Sequence, residues 1–253
     1  MYSLFISSFS SRRSFIVGAA VLTSIMTGCT STDALTRVTT TEPHLVATSS
    51  TTGPRPYAAN SSPATGKPGA RDGNTLALTD KEILDLIKTT STEVDASLPE
   101  AQRVLMSRAV ADTILNRKAC DCFGASTITD IVNQPWQFSA ISSNLPYAYG
   151  TVDKMPISAI KPLVRKDVEA WLADRANGTP AQEYGLNFLN PYHSGASALS
   201  SWGWEVVRQA EANGHVYGDI RRRSVHYHGT APGHRGKESK PYTIVLPQGW
   251  KPH

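Results

Sequence analysis

The chain has 253 residues, enough for one ordinary domain with extensions or for two small ones, and its 40% apolar and 18% charged residues fit a globular protein. Its formal charge is +4, and setting aside Arg12 and Arg13 in the first 28 residues leaves +2. That is too weak a field to argue for nucleic acid, which is excluded as a partner.

The N-terminal stretch SSFSSRRSFIVGAAVLTSIMTGC places a basic pair before an apolar run, Phe15 to Met26, and then small residues before Cys29. A membrane-spanning helix needs roughly 20 apolar residues, so the run is too short to span, while its order is that of an export signal. Ser11 to Ile16 resembles a twin-arginine signal, and Met26-Thr27-Gly28-Cys29 resembles a lipobox in which Cys29 is acylated. Residues 1–28 are therefore expected to be removed and Cys29 lipidated, giving a periplasmic outer-membrane lipoprotein. An ordinary cleaved signal and an uncleaved apolar anchor are the alternatives. Residues 29–76, rich in Ser, Thr and Pro without apolar periodicity, read as a flexible linker.

A mainly α-helical domain is expected over residues 77–220. Thr79 with Glu82 forms a capping box, and Ile83, Leu86 and Ile87 share one face, predicting a helix from Asp80 to Thr90. A second begins near Pro99, has apolar residues around most of its circumference, and ends at Asn116-Arg117; it reads as a central buried helix. STITDIVNQ forms a short helix, and longer ones run from Ser158 to Ala176 and from Ser201 to Ala212, each stopped by Asn-Gly. SVHYHG and YTIVLP read as strands that could pair as a hairpin within an otherwise irregular basic tail, residues 221–253. An oxidising compartment permits a bond between Cys120 and Cys122, with two free thiols as the alternative.

Two segments could carry chemistry. TTSTEVDAS presents Glu93 and Asp95 after the first helix, and NQPWQFSAI places Trp136 and Phe138 around Gln137 and Ser139. Flat aromatic faces alternating with amide and hydroxyl groups suit sugar rings, although two aromatics that merely pin a loop to the core would look the same.

Glu93, a helix ending ILNR and then QPWQFS together resemble the cell wall hydrolases of the spore cortex-lytic (SleB) type, and FLNPYHSGASALSSWGW and NGHVYGD are similar to that family's later segments in the right order. The resemblance covers about residues 80–218. It implies a lysozyme-like α+β domain that cuts peptidoglycan glycan strands, often as a lytic transglycosylase, with no cofactor and no metal. Glu93 is then the acid and base, Gln137 and Ser139 orient the sugar, Phe138 and Tyr217 wall the cleft, and Asn190 is a further polar contact. The family's Glu-Ala-x-Gly-Glu is replaced by Glu93-Val94-Asp95-Ala96-Ser97, which leaves Glu100 and Asp95 as alternative acids. The expected partners are peptidoglycan and, through acylated Cys29, a membrane; the protein is expected to be a monomer.

Two other readings stay open. His226, His228 and His234 could hold a zinc ion for an amidase, or form a solvated basic patch. His193 and His215 read as structural. The domain could also be a wall-binding module without activity, which a Glu93 turned away from Gln137 and Ser139 would favour.

Overall fold

The computed structural model describes residues 75–253; the export signal, Cys29 and the linker up to Asn74 lie outside these residues. Thr75 and Leu76, given to the linker by sequence, belong to strand β1 (Thr75–Ala77). Helix α1 (Asp80–Glu93) starts at the expected capping box: Thr79 Oγ1 accepts the Glu82 N–H at 3.2 Å and Glu82 Oε2 accepts the Thr79 N–H at 3.0 Å. The helix extends past Thr90 to Glu93 because its polar last turns are tied down individually. Thr89 Oγ1 donates to Asp85 O at 2.8 Å, and Ser91 Oγ accepts the Lys161 N–H at 2.8 Å.

Helix α2 (Glu100–Cys120) is the buried axis, as its all-round apolar pattern predicts, but it continues beyond Arg117 before Asp121 ends it in a left-handed conformation. Cys120 and Cys122 are disulfide-bonded just past that end. Around it lie α3 (Ile128–Asn133), the short α4 (Ser139–Ser142) and α5 (Pro162–Ala176). The helix expected from Ser158 is divided: Ile157–Ala159 forms a separate single turn, because Pro162 holds Lys161 extended. Next come α6 (Ala196–Ala198), a π-helical turn (Leu199–Gly203) and α7 (Trp204–Asn213), which Gly214 stops at φ +74°. Among the described residues no helix is long and apolar enough to cross a membrane.

The strands correct the expected C-terminal hairpin. β4 (Ser224–Gly229) is the centre of a three-stranded antiparallel sheet, between β2 (Asn187–Leu189) and β3 (Val216–Asp219). β5 (Thr243–Val245) instead pairs in parallel with β1, Leu76 opposite Ile244. The tail is thus built into the domain: Tyr242 and Ile244 are core residues beside α1, α2 and α5.

Alternation along β4 gives its sheet two different faces. Val225 and Tyr227 join Leu189 under Val206, Val207 and Ala210 of α7 in a second apolar cluster. His226 and His228 lie on the other face, where both rings stack on Phe188, itself against Phe138. The domain is mainly helical with a small β component.

Candidate active site

A cleft of about 1020 Å³ opens where the end of α1, the last turns of α2, the loop before α4 and the sheet meet. Glu93, Gln137 and Ser139 all line it, as do Arg117, Trp136 and Asn190. The carboxylate therefore shares its cleft with the loop and is not turned away from Gln137 and Ser139.

Glu93 occupies an unfavourable place for a charge. It is the last residue of α1, where the helix dipole is negative, and the final turn holds no basic residue. Thr92 Oγ1 sits 3.4 Å from Glu93 Oε1, but its single proton has a better acceptor in Thr89 O at 2.8 Å. Burial raises the Glu93 pKa to about 7, with Thr92 and the charges of Lys161 and Arg117 offsetting only part of the effect. A neutral carboxylic acid at the mouth of a cleft can deliver a proton near neutral pH.

Arg117 organises the opposite wall. Its Nε donates to Leu186 O at 2.7 Å, and its guanidinium stacks on Phe123 and Phe138. Burial lowers its pKa to about 10, so it stays charged at neutral pH. Its Nη1 donates to Gln137 Oε1 at 3.1 Å. Because arginine can only donate, the Gln137 carbonyl must face it and the amide NH₂ is left for another acceptor. Trp136 beside it is 63% exposed at φ +65°, a strained left-handed backbone that holds a large flat surface out in solvent.

Asp95 also lines the cleft, in the opposite electrostatic state. Its Oδ1 accepts the Ser97 N–H at 2.9 Å and the Ser97 hydroxyl at 2.7 Å, and Arg222 stands 3.6 Å from Oδ2. The Ser97 hydroxyl bond is the main cause that lowers its pKa. Glu100 is exposed on the first turn of α2, away from the cleft.

The structure separates the other expected residues. Phe138 is 1% exposed and packs on Phe188 below the cleft, and Tyr217 is 8% exposed in the core, so neither walls it. Asn190 reaches the wall, but its amide donates to Arg223 O at 2.8 Å and accepts the Tyr192 N–H at 3.1 Å, so it braces the loop. His193 is in the lining rather than purely structural, whereas His215 sits beside Tyr217.

His226 and His228 are buried on the sheet rather than in a solvated patch, and burial lowers both pKa values to about 3. Among the described residues no group of three His, Cys, Asp or Glu side chains is arranged to hold a metal ion. Sequence reasoning missed Phe188, Trp202, Arg222 and Arg223 as cleft residues. Phe188 and Trp202 lay within the FLNPYHSGASALSSWGW segment without being singled out, and the RRR run read as part of a basic tail.

Residues 103–218 match the family model described as Cell Wall Hydrolase. No curated protein and no solved structure matches the chain. The match includes Arg117, Gln137, Ser139 and Asn190, while Glu93 precedes it and β4 follows it. Residues 103–218, the greater part of the domain that carries this cleft, are thus similar to the cell wall hydrolase family.

Proposed function

We propose that this protein cuts the glycan strand of peptidoglycan between N-acetylmuramic acid and N-acetylglucosamine as a lytic transglycosylase, with Glu93 as its single acid and base. The observation that carries this reading is Glu93, its pKa raised by burial to about 7, lining the same cleft as Gln137 and Ser139. Glu93 gives its proton to the glycosidic oxygen as the bond to C1 breaks. The resulting carboxylate takes the proton of the muramic acid C6 hydroxyl while O6 bonds to C1, closing a 1,6-anhydro ring and restoring the acid. Hydrolysis with retention would call for a second carboxylate free to attack. Asp95 is the nearest candidate in sequence, but its Oδ1 is held by Ser97 and its Oδ2 faces Arg222.

Digestion of purified peptidoglycan, with mass spectrometry of the released muropeptides, tests the proposal. Products one water lighter than reducing-end muropeptides, absent with Glu93→Gln, are expected. Reducing-end products would make the protein a hydrolase, and wall binding without any cutting would make it a binding module.

The N-terminal signals support, as part of the same proposal, export, a lipid anchor at Cys29 and a periplasmic domain. Labelling with a radioactive fatty acid should mark the protein and fail to mark Cys29→Ser.

A further inference from the structure

Beyond residue 218, where the family match stops, β4 carries a group that the proposed acid and base chemistry does not use. His226 lines the cleft yet is only 7% exposed, and its Nδ1 is buried without a hydrogen-bond partner. An unpaired buried polar atom is costly and calls for an explanation. An orphaned lone pair is tolerated better than an orphaned N–H, so the proton belongs on Nε2, the ring nitrogen that is not among the buried unpaired atoms. The ring is fixed by stacking on Phe188, centroids 4.8 Å apart and planes 22° apart, and Phe188 itself lines the cleft.

From this geometry we infer that His226 is a substrate-binding residue that donates its Nε2–H to the carbonyl of a sugar acetamido group, with Phe188 receiving the methyl. The surroundings select an uncharged acceptor. The donor is flanked by aromatic carbon, and the arginines of the cleft lining are engaged elsewhere: Arg222 on Ser97 and Asp95, Arg117 on Gln137 and Leu186, and Arg223 over the Tyr192 ring. Burial keeps His226 neutral, so it offers a dipole to an amide rather than a charge to a carboxylate. The His-x-His pattern is thereby accounted for without a metal: His228 faces the interior, with Nδ1 3.1 Å from Thr113 Oγ1, while His226 faces the ligand.

The inference rests on the glycosidase reading and can fail separately from it. The experiment is binding of two neutral β-1,4-linked trisaccharides to the full chain, one of N-acetylglucosamine and one of glucose, which lacks the acetamido group. Wild type should prefer the acetylated sugar. His226→Leu should bind that sugar about tenfold more weakly and leave the glucose trimer unchanged, with a melting temperature no lower than wild type, since an unpaired buried nitrogen has been removed. His226→Gln, whose amide reaches the Nε2 position, should recover most of the preference. An unchanged preference in His226→Leu, or a wild type that binds both sugars alike, overturns the assignment. Peptidoglycan digestion run alongside tells the two failures apart: wild type that still cuts loses only this inference, and wild type that does not cut loses both.

Discussion

At the scale of single residues, the cleft holds two carboxylates whose environments push them in opposite directions. Burial at a helix end raises the Glu93 pKa to about 7, and Ser97 and Arg222 lower that of Asp95. Divergent pKa values of this kind support the proposed role of Glu93 as the acid. Glu93→Gln should lower the cleavage rate by about 10²- to 10⁴-fold. In wild type the rate should fall as pH rises through about 7, where Glu93 loses the proton it must deliver. Stability follows the same titration. Below the ordinary Glu pKa the buried acid is neutral in both folded and unfolded chains, and as pH rises to about 7 the unfolded chain ionises while the folded one resists. Glu93→Gln should therefore be more stable than wild type at pH 8, by up to about 3 kcal/mol, with the gap closing near pH 4 in urea titrations. Asp95→Asn should cost far less activity; a loss equal to that of Glu93→Gln would reinstate Asp95 as a second catalytic carboxylate.

Among the elements, α1 places the acid, and its first turn carries much of the anchoring. Glu82 closes the capping box and also accepts from Lys118 of α2 and from Ile128 N at 3.1 Å, so one carboxylate joins three helices. Glu82→Ala leaves a nearly buried ammonium without its partner and should cost about 2–4 kcal/mol by chemical denaturation. Thr79→Ala removes one cap bond and should cost about 1 kcal/mol. The start of α1 was legible in sequence because Thr79 and Glu82 are local signals. Its end was not. Thr89 and Ser91 break the apolar period, and the bonds that keep that stretch helical include one to Lys161, far along the chain. The loop before α4 was legible as a motif but not in the direction of its side chains. Phe138 and Trp136 look alike as flat aromatics, and only packing against Phe188 sends one inward while a left-handed backbone sends the other out.

For the whole molecule, the C-terminal segment is part of the folding unit. Tyr242 donates its hydroxyl to Asn116 Oδ1 at 2.8 Å and lies under the Arg175 guanidinium, beside Asp112 and Trp171. Tyr242→Phe should cost about 1–3 kcal/mol, the usual penalty for a buried acceptor left unpaired. A chain ending at Lys240 loses Tyr242 and Ile244 from the core and should not show a cooperative thermal transition; retained activity in that truncation would refute this placement. The strand in YTIVLP was legible beforehand, but its partner and its burial were not. Basic composition marked the tail as solvated, and the pairing of Thr243–Val245 with Thr75–Ala77 joins opposite ends of the domain, which no local pattern records.

That pairing has a mechanical consequence. β1 is where the chain enters the domain, and it is held beside β5 by parallel ladder bonds that Leu78 N extends to Val245 O at 2.9 Å. A pull on the chain upstream of Thr75 runs along β1, so it loads those bonds together in shear instead of opening them one at a time. The last strand thus acts as a clasp on the first, and the point where traction reaches the domain is secured by residues near its far end.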